Sequence, residues 1–145
     1  MSLTLILAIS LGAPALKDPK QATDLLGLWE HEKSFSHGKD DTQKRDTPIR
    51  WEFREDNTYV VYEGDMETVG PRAFWFDPKA APATLDTTVI NLSGGKPTYS
   101  FAIYKIVGDK LTICKTMPGK ARPTEFDTSP GSPNYMMIFR RVKKD

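Results

Sequence analysis

Between residues 49 and 62 the chain alternates as a half-buried antiparallel hairpin must: Ile49, Trp51 and Phe53 are apolar, while Arg50, Glu52 and Arg54 are charged. Side chains leave opposite faces of a strand with a period of two, so this spacing puts one face in a core and the other in water. Glu55, Asp56 and Asn57 supply the short polar side chains that suit a turn. Residues 58–62 (TYVVY) return with the β-branched and aromatic types that fit a pleated surface.

The same pattern extends over most of the chain. Residues 28–35 (LWEHEKSF) predict a first strand carrying Trp29 and Phe35 into a core, and residues 36–48 (SHGKDDTQKRDTP), charged and without an apolar residue, read as a solvated loop or hairpin tip. Residues 65–76 read as one strand or a pair broken near Gly70 and Pro71, residues 84–92 (TLDTTVINL) as a strand, and residues 93–97 (SGGKP) as a turn. The most ordered passage is residues 99–126: strands over 98–107 and 110–115 meet at Gly108 and Asp109, and a loop rich in Pro, Gly and Arg follows. A loop over 116–134 leads to a last strand at 135–142 (YMMIFRRV). About eight strands with mostly short connections predict an all-β fold, an antiparallel up-and-down barrel or strongly curled sheet. Residues 18–26 predict a short helix, with Asp18 as cap, Pro19 at the first helical position and Gly27 ending it, placed to cover one end of the sheet.

The N-terminus follows a different grammar. Residues 3–11 (LTLILAISL) are uncharged and mostly apolar, and Ala13 and Ala15 after them have the spacing of a signal-peptidase site. That run is too short to span a bilayer, which takes about 20 apolar residues. Residues 1–15 therefore read as a secretory signal, with a buried first strand and an uncleaved anchor as the competing readings; the segment before the run has no Lys or Arg, which speaks against export. With the signal removed, residues 16–145 form a single domain in the periplasm or outside the cell, with no stable membrane insertion expected. No Cys lies near the cleavage site to carry a lipid.

Composition narrows the classes further. The chain has 20 Lys and Arg against 19 Asp and Glu, for a net charge of +1, with the signs interspersed. No field exists to attract a phosphate backbone, so nucleic acid is excluded as a partner. Eleven Pro and ten Gly agree with many turns between short elements. Cys114 is the sole cysteine, so no internal disulfide can form; in the strand-like run 111–114 it reads as a small buried hydrophobe.

Several of these segments together resemble a known family. Residues 24–29 (DLLGLW), 104–114 (YKIVGDKLTIC), 118–126 (PGKARPTEF) and 130–132 (PGS) are similar to a small exported domain of unknown function abundant in planctomycete bacteria, over nearly all of the mature chain. The resemblance implies a lipocalin-like barrel and an exported location, and it implies no activity.

A barrel of about eight strands either fills with side chains or leaves room for one small ligand. Trp51, Phe53, Tyr62, Phe101, Tyr104 and Phe139 are the candidate lining groups, with core packing as the plainer reading of each. In the loop after residue 116, Arg122 lies near Glu125 and Asp127. A bidentate Arg–carboxylate pair there would staple the loop over one barrel end; alternatively Arg122 holds an anionic ligand and Glu125 acts as an acid or base at the mouth. His31 and His37 lack zinc spacing, no Gly-x-Ser-x-Gly elbow occurs, and residues 93–97 lead into no helix, so no metal, cofactor or catalytic constellation is expected. The sequence thus supports an exported, non-catalytic barrel that binds a small apolar or amphipathic ligand. The alternative is a cell-envelope interaction module with a filled barrel, and an enzyme comes third.

Overall fold

The computed structural model describes residues 24–89 and 96–144, and among them the chain forms nine strands and no helix. The strands are β1 (Gly27–Ser36), β2 (Lys39–Asp40), β3 (Ile49–Phe53), β4 (Thr58–Glu63), β5 (Met66–Asp77), β6 (Ala83–Val89), β7 (Thr98–Val107), β8 (Lys110–Lys115) and β9 (Tyr135–Arg141). All pairings are antiparallel, and from β3 to β9 each strand pairs with its neighbour in sequence. β1 pairs with β3 on one side and β9 on the other, so eight strands close into an up-and-down barrel and no wall strand is left as a free edge. β2 stands outside the ring as a short arm folded back on the end of β1.

The turns follow from local chemistry. His37 and Gly38 both have positive φ, 48° and 73°, and so make the tight reversal between β1 and β2 with the hand that suits twisted strands. Asn57, φ 60°, ends the β3–β4 turn, where the Asp56 carboxylate accepts from the Thr58 backbone N–H at 3.1 Å.

One end of the barrel is packed solid. Trp29, Phe53, Phe74, Phe76, Leu85, Leu111, Ile113 and Phe139 turn inward there and are buried, with Tyr104 beside them. Large aromatic and aliphatic side chains of this kind stabilise by about 1.5–3 kcal/mol each on full burial. Leu25, 1 % exposed, plugs the floor, held because Trp29 Nε1 donates to its carbonyl at 2.8 Å. Arg141 lays its guanidinium over the Trp29 ring at 4.1 Å and donates to the carbonyls of Leu26, at 3.0 Å, and Asp24. The end of the last strand thus latches the entry to the first.

Four expectations are corrected, narrowed or left open. The break near Gly70 and Pro71 is a bulge inside one continuous strand: the β4–β5 register shifts between Tyr59 and Val61, where a proline without an N–H leaves no ladder bond unmade. Of the two readings of the polar stretch after residue 35, its start takes the hairpin tip, turning at His37 and Gly38 into β2, and the rest runs on as loop to β3. The loop over 116–134 does not close a barrel end. It runs as a strap over the outer wall of β6, β7 and β8, burying the outward residues Ile103, Thr112 and Cys114, and rejoins the rim where the Gly38 N–H donates to the Thr128 carbonyl at 2.5 Å. The helix over 18–26 and the segment 1–15 lie outside the described residues, save residues 24–26, which begin as a turn.

Candidate functional site: the open end of the barrel

Opposite the packed floor, the lumen opens between the ends of β1 and β8 and the starts of β3, β7 and β9. A cleft of about 630 Å³ sits here, open to solvent, with Ser34, Met117, Tyr135 and Met137 among its walls and His31 at its inner end. The β1 bulge between His31 and Lys33 builds it. By shifting register, the bulge turns Lys33 outward and leaves His31 and Ser34 both facing the lumen, with His31 Nε2 and Ser34 Oγ 2.8 Å apart. His31 packs edge-on against Phe139, ring centroids 5.5 Å apart, and burial lowers its pKa below the usual histidine value, so it is neutral at pH 7.

Strand register sends three charged side chains into the lumen above the floor. Glu63 lies at the rim and is engaged by Arg45 at 3.5 Å. Lys115 follows Leu111 and Ile113 along the inner face of β8 and ends between two rings, its Nζ 5.3 Å from the Trp51 centroid and 5.2 Å from that of Tyr135. Neither a carboxylate nor a carbonyl of the described residues reaches that ammonium. Burial pushes its pKa down to about 8, although the residue keeps some surface open to the mouth. Arg72 pairs with Tyr59 across β4 and β5, and its Nε is buried without a hydrogen-bond partner. Burial raises the Tyr59 phenol pKa, with the Arg72 charge beside it acting in the opposite direction.

A neutral polar group lies between the two cations. Ser100, 2 % exposed, is directly opposite Thr87 and one pleat from Lys115 on the inner face, and its Oγ also has no partner. Arg72, Thr87, Ser100 and Lys115 therefore form a crescent over the inner walls of β5 to β8. Buried polar groups normally find partners, at a penalty of about 1–3 kcal/mol for each one left unpaired, so two orphan atoms on the inner wall that also carries Lys115 are a departure from an ordinary core.

The eight residues singled out in the sequence divide evenly. Trp51, Phe53, Tyr104 and Phe139 face inward and pack in or against the core; Trp51 stacks on Tyr59 at 5.6 Å and meets Phe139 at 5.5 Å, forming the surface on which Lys115 rests. Tyr62 and Phe101 face outward. Tyr62 is one residue out of phase with Tyr59 and Val61 and hydrogen-bonds Glu52 at 2.9 Å and Arg54 at 3.1 Å on the outer wall. Phe101 alternates with the inward Ser100 and Ala102 and lies under the Arg122 guanidinium at 5.4 Å.

Arg122 and Glu125 sit on the strap, away from the mouth. Arg122 does make a bidentate carboxylate pair, but its partner is Asp86 on the outer face of β6, at 2.5 and 3.0 Å, with a third bond to the Ala102 carbonyl at 2.8 Å. Glu125 is exposed, and its backbone carbonyl accepts from the Cys114 thiol at 3.6 Å. Burial raises the Cys114 pKa to about 11, so the thiol stays protonated.

Lys115, Arg72 and Ser100 were not singled out in the sequence. The signal for Lys115 was its phase, two residues beyond Ile113 and four beyond Leu111. By architecture the chain is a closed, eight-stranded antiparallel barrel with one packed end and one polar, cationic end. No protein-family model, curated protein or solved structure matches it.

Proposed function

We propose that this chain is an exported, lipocalin-like barrel that binds a small apolar or amphipathic ligand in the open half of its lumen, without catalysis. The observation that carries the reading is the contrast between the two ends. One is filled to the floor by aromatic and aliphatic side chains, and the other holds a cleft of about 630 Å³ whose walls mix Met117, Met137 and Tyr135 with polar side chains such as Ser34, Asp41 and Asn134. Small-molecule sites are concave, of about 300–1,000 Å³, with apolar walls and a few convergent polar groups. Export is supported by the apolar run at residues 3–11 and the small residues after it. The likeness of residues 118–126 to the planctomycete domain supports the same compartment. In this reading the motif serves the strap, whose Arg122 braces the outer wall.

Fluorescence titration with N-phenyl-1-naphthylamine, a neutral apolar probe, tests the reading. Saturable binding is expected, and Ser34→Trp, which fills the cleft from the β1 wall, is expected to abolish it with the circular dichroism spectrum unchanged. No binding by the parent protein would refute the reading and favour the interaction module, with function on the outer surface.

A further inference from the structure

We infer that the ligand is a neutral amphiphile of the aliphatic alcohol class, whose hydroxyl joins the hydrogen-bonded His31–Ser34 pair at the inner end of the cleft and whose tail runs past Met137 and Tyr135 to the mouth. This rests on the proposal that the cleft binds a small molecule, and it specifies which kind.

The placement of charge is the first argument. The carboxylate and guanidinium on the cleft walls belong to Asp41 and Arg45, both exposed at the rim and opposite in sign. Each is already engaged. Asp41 accepts from the Ser36 hydroxyl, and Arg45 reaches Glu63 at 3.5 Å and the Gln43 side-chain carbonyl at 3.4 Å. The half-buried walls carry no charge: Ser34, Asn134, Tyr135 and Met137 are neutral side chains, and burial holds His31 in its neutral form. Lys115 is not one of the walls, its ammonium lying over the Trp51 and Tyr135 rings. A charged head brought to the inner end would give up water and meet no counter-charge on these walls, a penalty that a neutral polar head avoids.

Hydrogen-bonding capacity is the second. His31 Nε2 and Ser34 Oγ, 2.8 Å apart, both line the cleft, where the β1 bulge brings them together. The bond between them uses only part of the serine. If the hydroxyl donates to the ring, its oxygen keeps lone pairs to accept with; if the ring donates, the Ser34 O–H is left to donate. An alcohol both donates and accepts, so it completes the pair in either tautomer of His31. A carboxylate only accepts and an ammonium only donates.

The register sets the orientation. Across β1 and β9, His31 stands opposite Phe139, Ser34 opposite Met137 and Ser36 opposite Tyr135, so the polar pair lies deeper than Tyr135 and the rim. Inward of it the buried Phe139 ring packs on His31, centroids 5.5 Å apart, and closes the way down. Outward the walls carry Met137, Tyr135 and then Met117, which is 63 % exposed. Methionine thioethers adapt to tails of different shape, which suits an aliphatic chain emerging toward solvent.

The test displaces bound N-phenyl-1-naphthylamine in neutral buffer with four competitors that share one tail: 1-octanol, octanoate, octylammonium and 1-chlorooctane, whose head is neutral and does not pair with a hydroxyl. Octanol is expected to displace the probe at concentrations on the order of 10-fold below those of either ion. The chloride reports apolar contact alone. Removing both polar atoms with His31→Phe and Ser34→Ala together is expected to shift the octanol-to-chlorooctane ratio on the order of 3- to 10-fold toward the chloride, the range of a neutral hydrogen bond. Ser34→Ala alone, which leaves the ring to bond the alcohol, should shift it less. Displacement by either ion at or below the octanol concentration, or a ratio unchanged in the double variant, would overturn the inference and leave the cleft-binding proposal standing. The comparison with the ions uses the parent protein only, so it decides even where the double variant fails to fold. Failure of the neutral probe to bind the parent protein would remove both.

Discussion

Replacing Lys115 by Met should make the protein more stable, and the size of the effect follows from the lumen. The native side chain holds an ammonium between Trp51 and Tyr135 with no anion of the described residues against it, and burial lowers its pKa from 10.5 to about 8. At about 1.36 kcal/mol per pH unit, that difference amounts to about 3 kcal/mol of penalty for carrying the charge in the folded chain. The two ring faces return about 0.5–1 kcal/mol each, so the net penalty at pH 7 is about 2 kcal/mol. Methionine has nearly the same length and no charge, and so should recover that amount in a urea titration. The folded chain holds this proton less tightly than the unfolded one, which fixes the pH dependence. Below about pH 8 both states are protonated and the penalty is complete. Between about 8 and 10.5 the unfolded chain keeps the proton and the folded chain releases it, so the stability of the parent protein rises and the advantage of Lys115→Met shrinks toward zero. Buried phenols, Tyr135 raised to about 12 and Tyr59 raised as well, cost stability as the unfolded chain ionises from about pH 10, but they do so in parent and variant alike and cancel in the comparison. A variant less stable than its parent at pH 7, or a gain that does not change up to pH 10.5, would refute the account of Lys115 as an unpaired buried cation.

Two further outcomes follow from other parts of the barrel. Arg141→Ala removes charged donors to the carbonyls of Leu26 and Asp24 and the cation over Trp29, and should lower the unfolding free energy by about 3 kcal/mol by tryptophan-monitored urea titration. Arg141→Lys should restore less than half, because a single ammonium cannot span both carbonyls and the ring; full restoration would show that charge alone makes the latch. Asp86→Ala should release the strap and raise the rate at which a thiol-specific disulfide reagent labels Cys114, which is fully buried beneath it, by on the order of 10-fold in native buffer. An unchanged rate would mean that the strap is held by Pro123 and its backbone contacts rather than by the ion pair.

How much could be read in advance depended on whether both faces of a strand were covered. At Ile49 to Phe53 one face meets the lumen and the other meets water, so the polar residues marked the outside and both Trp51 and Phe53 were placed correctly. β8 gave no such contrast. Leu111 and Ile113 are buried by the lumen and Thr112 and Cys114 by the strap, and an apolar run covered on both sides has no visible phase. The inward direction of Lys115 was hidden for that reason. Tyr62 and Phe101 were misplaced by a related effect, since the outer wall also carries aromatic rings, which pair there with arginines. The bidentate pair of Arg122 was anticipated from residue type, yet its partner Asp86 lies 36 positions away, a distance that no local spacing reveals. The bulge that turns His31 and Ser34 inward together has no counterpart in the sequence pattern, because Glu32 and Lys33 are unremarkable surface residues.

The latch between Arg141 and Trp29 also fixes how the molecule can be presented. β1 begins and β9 ends at the packed floor, so the chain enters and leaves the barrel at the same pole, opposite the cleft. Anything attached next to residue 24 or residue 144, whether an anchor, a neighbouring domain or a solid support, therefore holds the barrel by its base. The mouth then faces outward like a cup on a stem, unobstructed by its own attachment.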